Sequence, residues 1–165
     1  DDYLDYDQVV LACHANESLA LLEEPTTEEK SILSKFQYVT NTAFLHTDEQ
    51  LMPVNKSAWS SWNSISKKDL TNTCVTYWLN LLQNLNTDKN YFLTLNPILN
   101  IENEKIIKRI IFTHPHFNLE NTKVQKSLKL LQGVRRTWFC GSYFGYGFHE
   151  DGLKSTLDMI NQFKT

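Results

Sequence analysis

The segment running from Thr137 to Ser155, TWFCGSYFGYGFHEDGLKS, limits what this chain can fold into more than any other stretch. A strand-sized apolar run comes first. Three glycines then fall within seven positions, at Gly141, Gly145 and Gly147, and a helical pattern runs from about Glu150 to Phe163. Strand, glycine turn and helix N-terminus in that order belong to α/β architecture. The glycines permit positive φ and close approach of a ligand to the main chain. The first N–H groups of the helix have no partner within it, and its positive dipole end faces the turn. A phosphate or a polarised carbonyl suits such a place; a tight turn whose aromatics pack on their own helix suits it equally. Gly145-Tyr-Gly147-Phe-His-Glu150 falls short of a dinucleotide fingerprint, because the third glycine is missing and no further βαβ strand follows. Glu150 and Asp151 also neutralise the helix end, which argues against a pyrophosphate. Tyr143, Phe144, Tyr146 and Phe148 cannot all be core in so short a turn, so some of them line a cavity or face a partner.

The rest of the chain reads as strands and helices in mixed order. Gln8–Cys13 is a β-rich apolar run read as a buried strand. Asn16 is the expected cap of a short helix that Pro25 stops, and Thr26 with Glu29 has capping-box spacing for a helix to about Phe36. Strands are expected at 37–47, 58–63, 72–79 and 91–95, with a hairpin connection through SISKKDLTN, and 106–112 is either strand or helix, preferably strand. A helix over 119–131 precedes Gly133 at a capping position. The fold class expected is mixed α/β, with an antiparallel sheet between two α/β pieces. Strands 8–13 and 136–140, both apolar and followed by helices, are expected to share one sheet.

A net charge of −3 is no electrostatic footprint for nucleic acid or an anionic membrane. No apolar run approaches the ~18 residues of a membrane span. No basic-then-apolar leader opens the chain, so no secretory signal is read. Cys13, Cys74 and Cys140 are odd in number and far apart, which suggests reduced thiols and a cytoplasmic setting. His114-Pro-His116 lacks the ligand spacing of a metal site and is read as a strand-end turn. Cys13 and His14 point to opposite faces of a strand and cannot act on each other. Trp59, Trp62, Tyr77 and Trp78 either line a pocket or, preferably, form the core of the middle sheet.

The 137–155 segment resembles the C-terminal FAD signature of flavin amine oxidases and related desaturases. Phe139 and Gly141 match the strand end, Phe148 the aromatic before the glutamate, Glu150 the glutamate and Ser155 the serine. Asp151-Gly152 stands where Gly-Ala is usual, and Ser142 where an acidic residue often contacts the ribityl chain. DYDQVVLACHANESLALLEEPT (5–26) is similar to the family's returning strand as the chain passes to the substrate domain. HTD, VTYWLN, LNP and THPHF segments occur in the same order in a bacterial subgroup described as predicted NAD/FAD-binding proteins.

The resemblance implies that residues 1–26 and 132–165 are the C-terminal part of an FAD-binding domain, and that 27–131 form a substrate domain. It implies FAD contacts at Gly141, Ser142, Phe148, His149, Glu150, Asp151 and Gly152, with hydride passing from a small hydrophobic or amine substrate to the flavin. The family's phosphate-binding turn lies upstream and is not in these residues, so the chain is expected to bind FAD weakly and to be inactive without that half. Self-association through an exposed sheet is expected to follow. A non-catalytic α/β interaction module, binding a partner through its aromatic turn, is the rival reading.

Overall fold

The computed structural model describes residues 4–66 and 73–163. It is mixed α/β, with a two-stranded parallel sheet and a five-stranded sheet in the order β3-β4-β5-β2-β6. The chain divides into two units: one takes the residues up to Val39 and from Pro115 onward, the other takes Thr40–His114.

In the first unit β1 (Val9–Leu11) leads into α1 (Ala15–Leu21) and α2 (Thr27–Leu33). Thr26 caps α2 as its spacing predicts: Thr26 Oγ1 accepts from Glu29 N at 3.1 Å, and the Glu29 carboxylate accepts from Thr26 N at 2.6 Å. The cap of α1 is His14 rather than Asn16, with Glu17 accepting from His14 N at 3.1 Å. Residues 119–131 form α4 (Leu119–Gln125) and then a tighter 3-10 turn through Leu131, not one continuous α-helix. β7 (Thr137–Phe139) pairs with β1 in parallel, Val9 beside Thr137 and Leu11 beside Phe139, so the two strands do share a sheet. The core gathers Leu33, Phe36, Leu128, Leu131, Phe139 and Tyr143. Burying a side chain the size of Phe139 contributes about 1.5–3 kcal/mol.

One expectation about this sheet fails. Val9 and Val10 are 44% and 45% exposed, so β1 is not a buried strand. Parallel strands are buried when helices and further strands cover them, and among the described residues this sheet has only two strands.

In the second unit β2 (Gln37–His46, beginning in the first unit), β3 (Trp62–Ser66), β4 (Thr73–Trp78) and β5 (Phe92–Leu95) pair antiparallel in the order β3-β4-β5-β2. α3 (Leu79–Leu82) is one short turn after β4. β6 (Ile106–His116) is the outer strand beside β2. The connection expected through SISKKDLTN falls largely on residues 67–72, outside the described residues. Residues 58–61 are not strand, since 56–58 make a 3-10 turn.

The half-buried Trp59 packs edge-on against Trp78 and against the fully buried Phe92. Trp62, however, is 67% exposed and faces Tyr77 across the hairpin, so that pair is not part of the sheet's main core. That core is Leu51, Cys74 and Ile101, with Phe44 and Ile65 packed on it. A buried polar chain crosses the same face: Asp48 N donates to His46 Nδ1 at 3.1 Å, His46 Nε2 meets Thr94 Oγ1 at 2.8 Å, and Thr94 Oγ1 meets Thr76 Oγ1 at 2.8 Å. Burial pushes the His46 imidazole below its ordinary range, only partly opposed by Asp48. Burial raises the Asp48 carboxyl, but hydrogen bonds from Gln50, Glu102 and Lys105 hold it below the usual carboxylate range.

Candidate functional site

β7 ends at Phe139, and the backbone turns at Gly141, whose φ of 152° strongly disfavours any side chain. A 3-10 turn over Ser142–Phe144 follows, then Gly145, Tyr146 and Gly147, and α5 (His149–Phe163) begins. The helix start lies one residue before Glu150.

Three sets of bonds hold this turn. Gly141 N donates to Ser155 Oγ at 2.9 Å, and the same hydroxyl donates to Gly152 O at 2.8 Å, which ties the strand end to the second turn of α5. Asp151 Oδ2 accepts from Tyr146 N at 3.0 Å and Phe148 N at 2.9 Å. Gln125 Nε2 on α4 donates to the carbonyl oxygens of Tyr143, at 3.1 Å, and Gly145, at 2.6 Å. Gly145 is required here, because a Cβ at this position would collide with the Asp151 carboxylate. Tyr143 is buried to 2% beneath the turn, and burial pushes its phenol well above the ordinary range.

Sequence reasoning singled out Asp151 as a negative charge at the helix end. It did not anticipate that both N–H bonds would be taken up by one oxygen of that carboxylate. The signal was an acid three positions after Phe148, the reverse half of a capping box.

The remaining expected residues gather around the same helix start. Phe148, His149 and Glu150 are exposed, Ser142 and Gly152 half-buried. No partner is found for the N–H groups of His149 and Glu150 among the described residues, as helix geometry dictates for a first turn. Gly152 is helical, and a Cβ built on it has one neighbour within 4 Å, Ser142 N at 3.8 Å. The fold itself therefore leaves room there for a side chain the sequence does not supply. Of the four turn aromatics, Tyr143 is core, whereas Tyr146 and Phe148 are 71% and 69% exposed.

On another face of α5, Asp151, Lys154 and Asp158 line a hollow of about 630 Å³ with Gln125, Lys126 and Lys129. Gly152, Thr156 and Ile160 follow the helical repeat along a different stripe. His114 and His116 gather no metal-binding cluster of His, Cys, Asp or Glu among the described residues. Among those residues, too, no helix is long and apolar enough to cross a membrane.

In sequence the chain matches no family model and no curated protein. In structure it is similar to a CLA-producing fatty acid isomerase from P. acnes, with TM-score 0.64 and 14% identity over 96% of this chain and 42% of that one. It is similar also to a protein named as a protoporphyrinogen oxidase from Exiguobacterium, with TM-score 0.54 and 12% identity over 96% of this chain and 41% of that one. At such identities the likeness is one of fold, and it bears out the mixed α/β class. The chain spans less than half the length of either structure.

Proposed function

We propose that the chain carries the flavin-ring end and the substrate side of an FAD-dependent oxidoreductase of the flavin amine-oxidase type. The observation that carries this reading is the pair of free N–H groups at the positive end of a 15-residue helix, beside an uncrowded stretch of backbone at Gly152. Glycine in a helix costs about 1 kcal/mol relative to alanine, and nothing in the fold requires it here. The amine-oxidase signature that the segment resembles has alanine at this position, so what a flat ring approaching the backbone requires is a small residue, glycine or alanine, and not a β-branched one. The fold likeness to an enzyme named as an oxidase supports the same reading.

The residues present suit a flavin. The N–H groups of His149 and Glu150 donate to a carbonyl edge and stabilise negative charge there. Asp151 does not compete strongly, because its carboxylate is held by Tyr146 N and Phe148 N. Gly141 and Ser142 would border the ribityl side, and Phe148 would form one wall of the site for a small hydrophobic or amine substrate. When bound, the flavin accepts hydride from substrate carbon.

The phosphate-binding half of the cofactor site is supplied, in this reading, by upstream sequence of the same protein. The exposed Val9 and Val10 on β1 and Leu153 and Leu157 on α5 are surface for that half to cover. Without it the same surface favours self-association.

Exposure of Tyr146 and Phe148 is also what an interaction module needs, so that reading stays as the rival. Flavin content of the natural-length protein separates the two. Stoichiometric FAD that is lost on Gly152→Val supports the flavin reading; a colourless protein with no FAD affinity refutes it.

A further inference from the structure

A hydrogen-bonded chain in the second unit runs from Thr42 to His114, and its direction follows from its first donor. The backbone N–H of Thr42 can only donate, and it meets Asn96 Oδ1 at 2.9 Å. Asn96 Nδ2 therefore faces the other way and donates to Asn41 Oδ1 at 2.7 Å. Asn41 Nδ2 in turn donates to His114 Nδ1 at 2.8 Å. Since Nδ1 accepts, the ring carries its proton on Nε2.

The chain joins β2, β6 and the residue after β5, where Asn96 holds a left-handed φ of 47°. All three bonds are solvent-exposed, where water competes with each and the net gain in stability is small. Their clear consequence is to orient one imidazole and fix its tautomer.

The residue that holds this imidazole, Asn41, lies on an apolar face of the sheet. Asn41 shares its face of β2 with Ala43 and Leu45. Ala43 pairs with Leu95 and Leu45 with Leu93, and these pair in turn with Val75 and Tyr77. Except for Ala43, all of them are only half-buried. Resting on the flavin-enzyme reading, we infer that His114 binds substrate: its Nε2–H donates to a carbonyl or carboxylate oxygen of a ligand whose apolar body lies along this face. The oriented donor selects against an ammonium head group and so narrows the substrate class to apolar molecules bearing an acceptor oxygen.

The test uses imidazole nitrogen NMR and titration with 2-decanone, a neutral ketone, on the natural-length protein, Asn41→Asp and His114→Phe. Asn41→Asp replaces the final donor with an acceptor and moves the ring proton to Nδ1, and its added charge does not repel a neutral probe. We expect the Nε2–H tautomer in the parent, a shift of its signal on titration, and at least tenfold weaker binding to both variants. Decyltrimethylammonium should leave the His114 signal unmoved. An Nδ1–H ring in the parent, or equal ketone binding by all three proteins, overturns the inference. Flavin content of the same samples is read separately, so a failure of the flavin reading leaves the tautomer and the titration to be judged by themselves.

Discussion

Replacing Gly152 with alanine should raise stability and leave flavin affinity nearly unchanged, whereas valine should lower flavin affinity. The built Cβ meets only Ser142 N, at 3.8 Å, an ordinary van der Waals distance, so no neighbour has to move. Gly152 is the fourth residue of α5, in helical conformation, and alanine there removes backbone freedom from the unfolded chain. The gain is about 0.4–1 kcal/mol. For a chain of this size that corresponds to a rise in Tm of roughly 1–4 °C.

Alanine is usual here in the signature that the segment resembles, whereas the branched side chain of valine would fill the space through which a flavin would reach the backbone. For Gly152→Val a tenfold loss of FAD affinity, about 1.4 kcal/mol, is the smallest effect expected. Thermal melts followed by circular dichroism on flavin-free protein measure the first effect, and FAD titration of the natural-length protein measures the second. A fall in Tm for Gly152→Ala would refute the open space. Unchanged FAD affinity in Gly152→Val would refute close approach of the ring.

Phe148→Ala should leave the melt nearly unchanged, since the ring is 69% exposed, and should slow flavin reduction; a loss of about 3–5 kcal/mol would mean a core role instead. Thr26→Ala should cost α2 about 1 kcal/mol in a urea titration by removing the Thr26 half of its capping box, and an unchanged midpoint would contradict the cap. Stability should fall in two steps as pH drops. His46, whose folded pKa is depressed, contributes stability above its unfolded value near about pH 6.5 that is lost as pH falls through the lower folded value. Asp48, also depressed, contributes stability that is lost only below about pH 4. Urea midpoints from pH 8 to 3 on the parent and His46→Gln check the order, and an upper step that survives in His46→Gln would assign it elsewhere.

Local signals carried much of the fold. The Thr26–Glu29 capping box needs only four adjacent residues, and it forms where its spacing puts it. The strand-turn-helix plan of 137–155 was equally legible, because glycine placement and helical periodicity are local properties. Burial of β1 was not, because it depends on which other strands and helices cover the sheet. The Trp62–Tyr77 pair was misread for a similar reason: alternation says which residues share a face but not which face is covered. The polar chain ending at His114 joins residues 55 and 73 positions apart, and no short motif announces contacts of that span.

The pairing of β1 with β7 has a consequence for the order in which the protein acquires structure. More than 120 residues separate the paired strands, and all of the second unit is synthesised between them. Closing so long a loop costs more chain entropy than the local hairpins of the second unit do. On the ribosome, β1 waits for β7 while Thr40–His114 emerges with its own sheet and core already encoded within it. The parallel sheet, and with it the turn at Gly141, forms only once Phe139 has cleared the exit tunnel. The glycine turn is thus among the last parts of the described chain to take shape, and nascent chains halted before residue 137 should leave the edge of β1 that pairs with β7 open to chaperones and proteases.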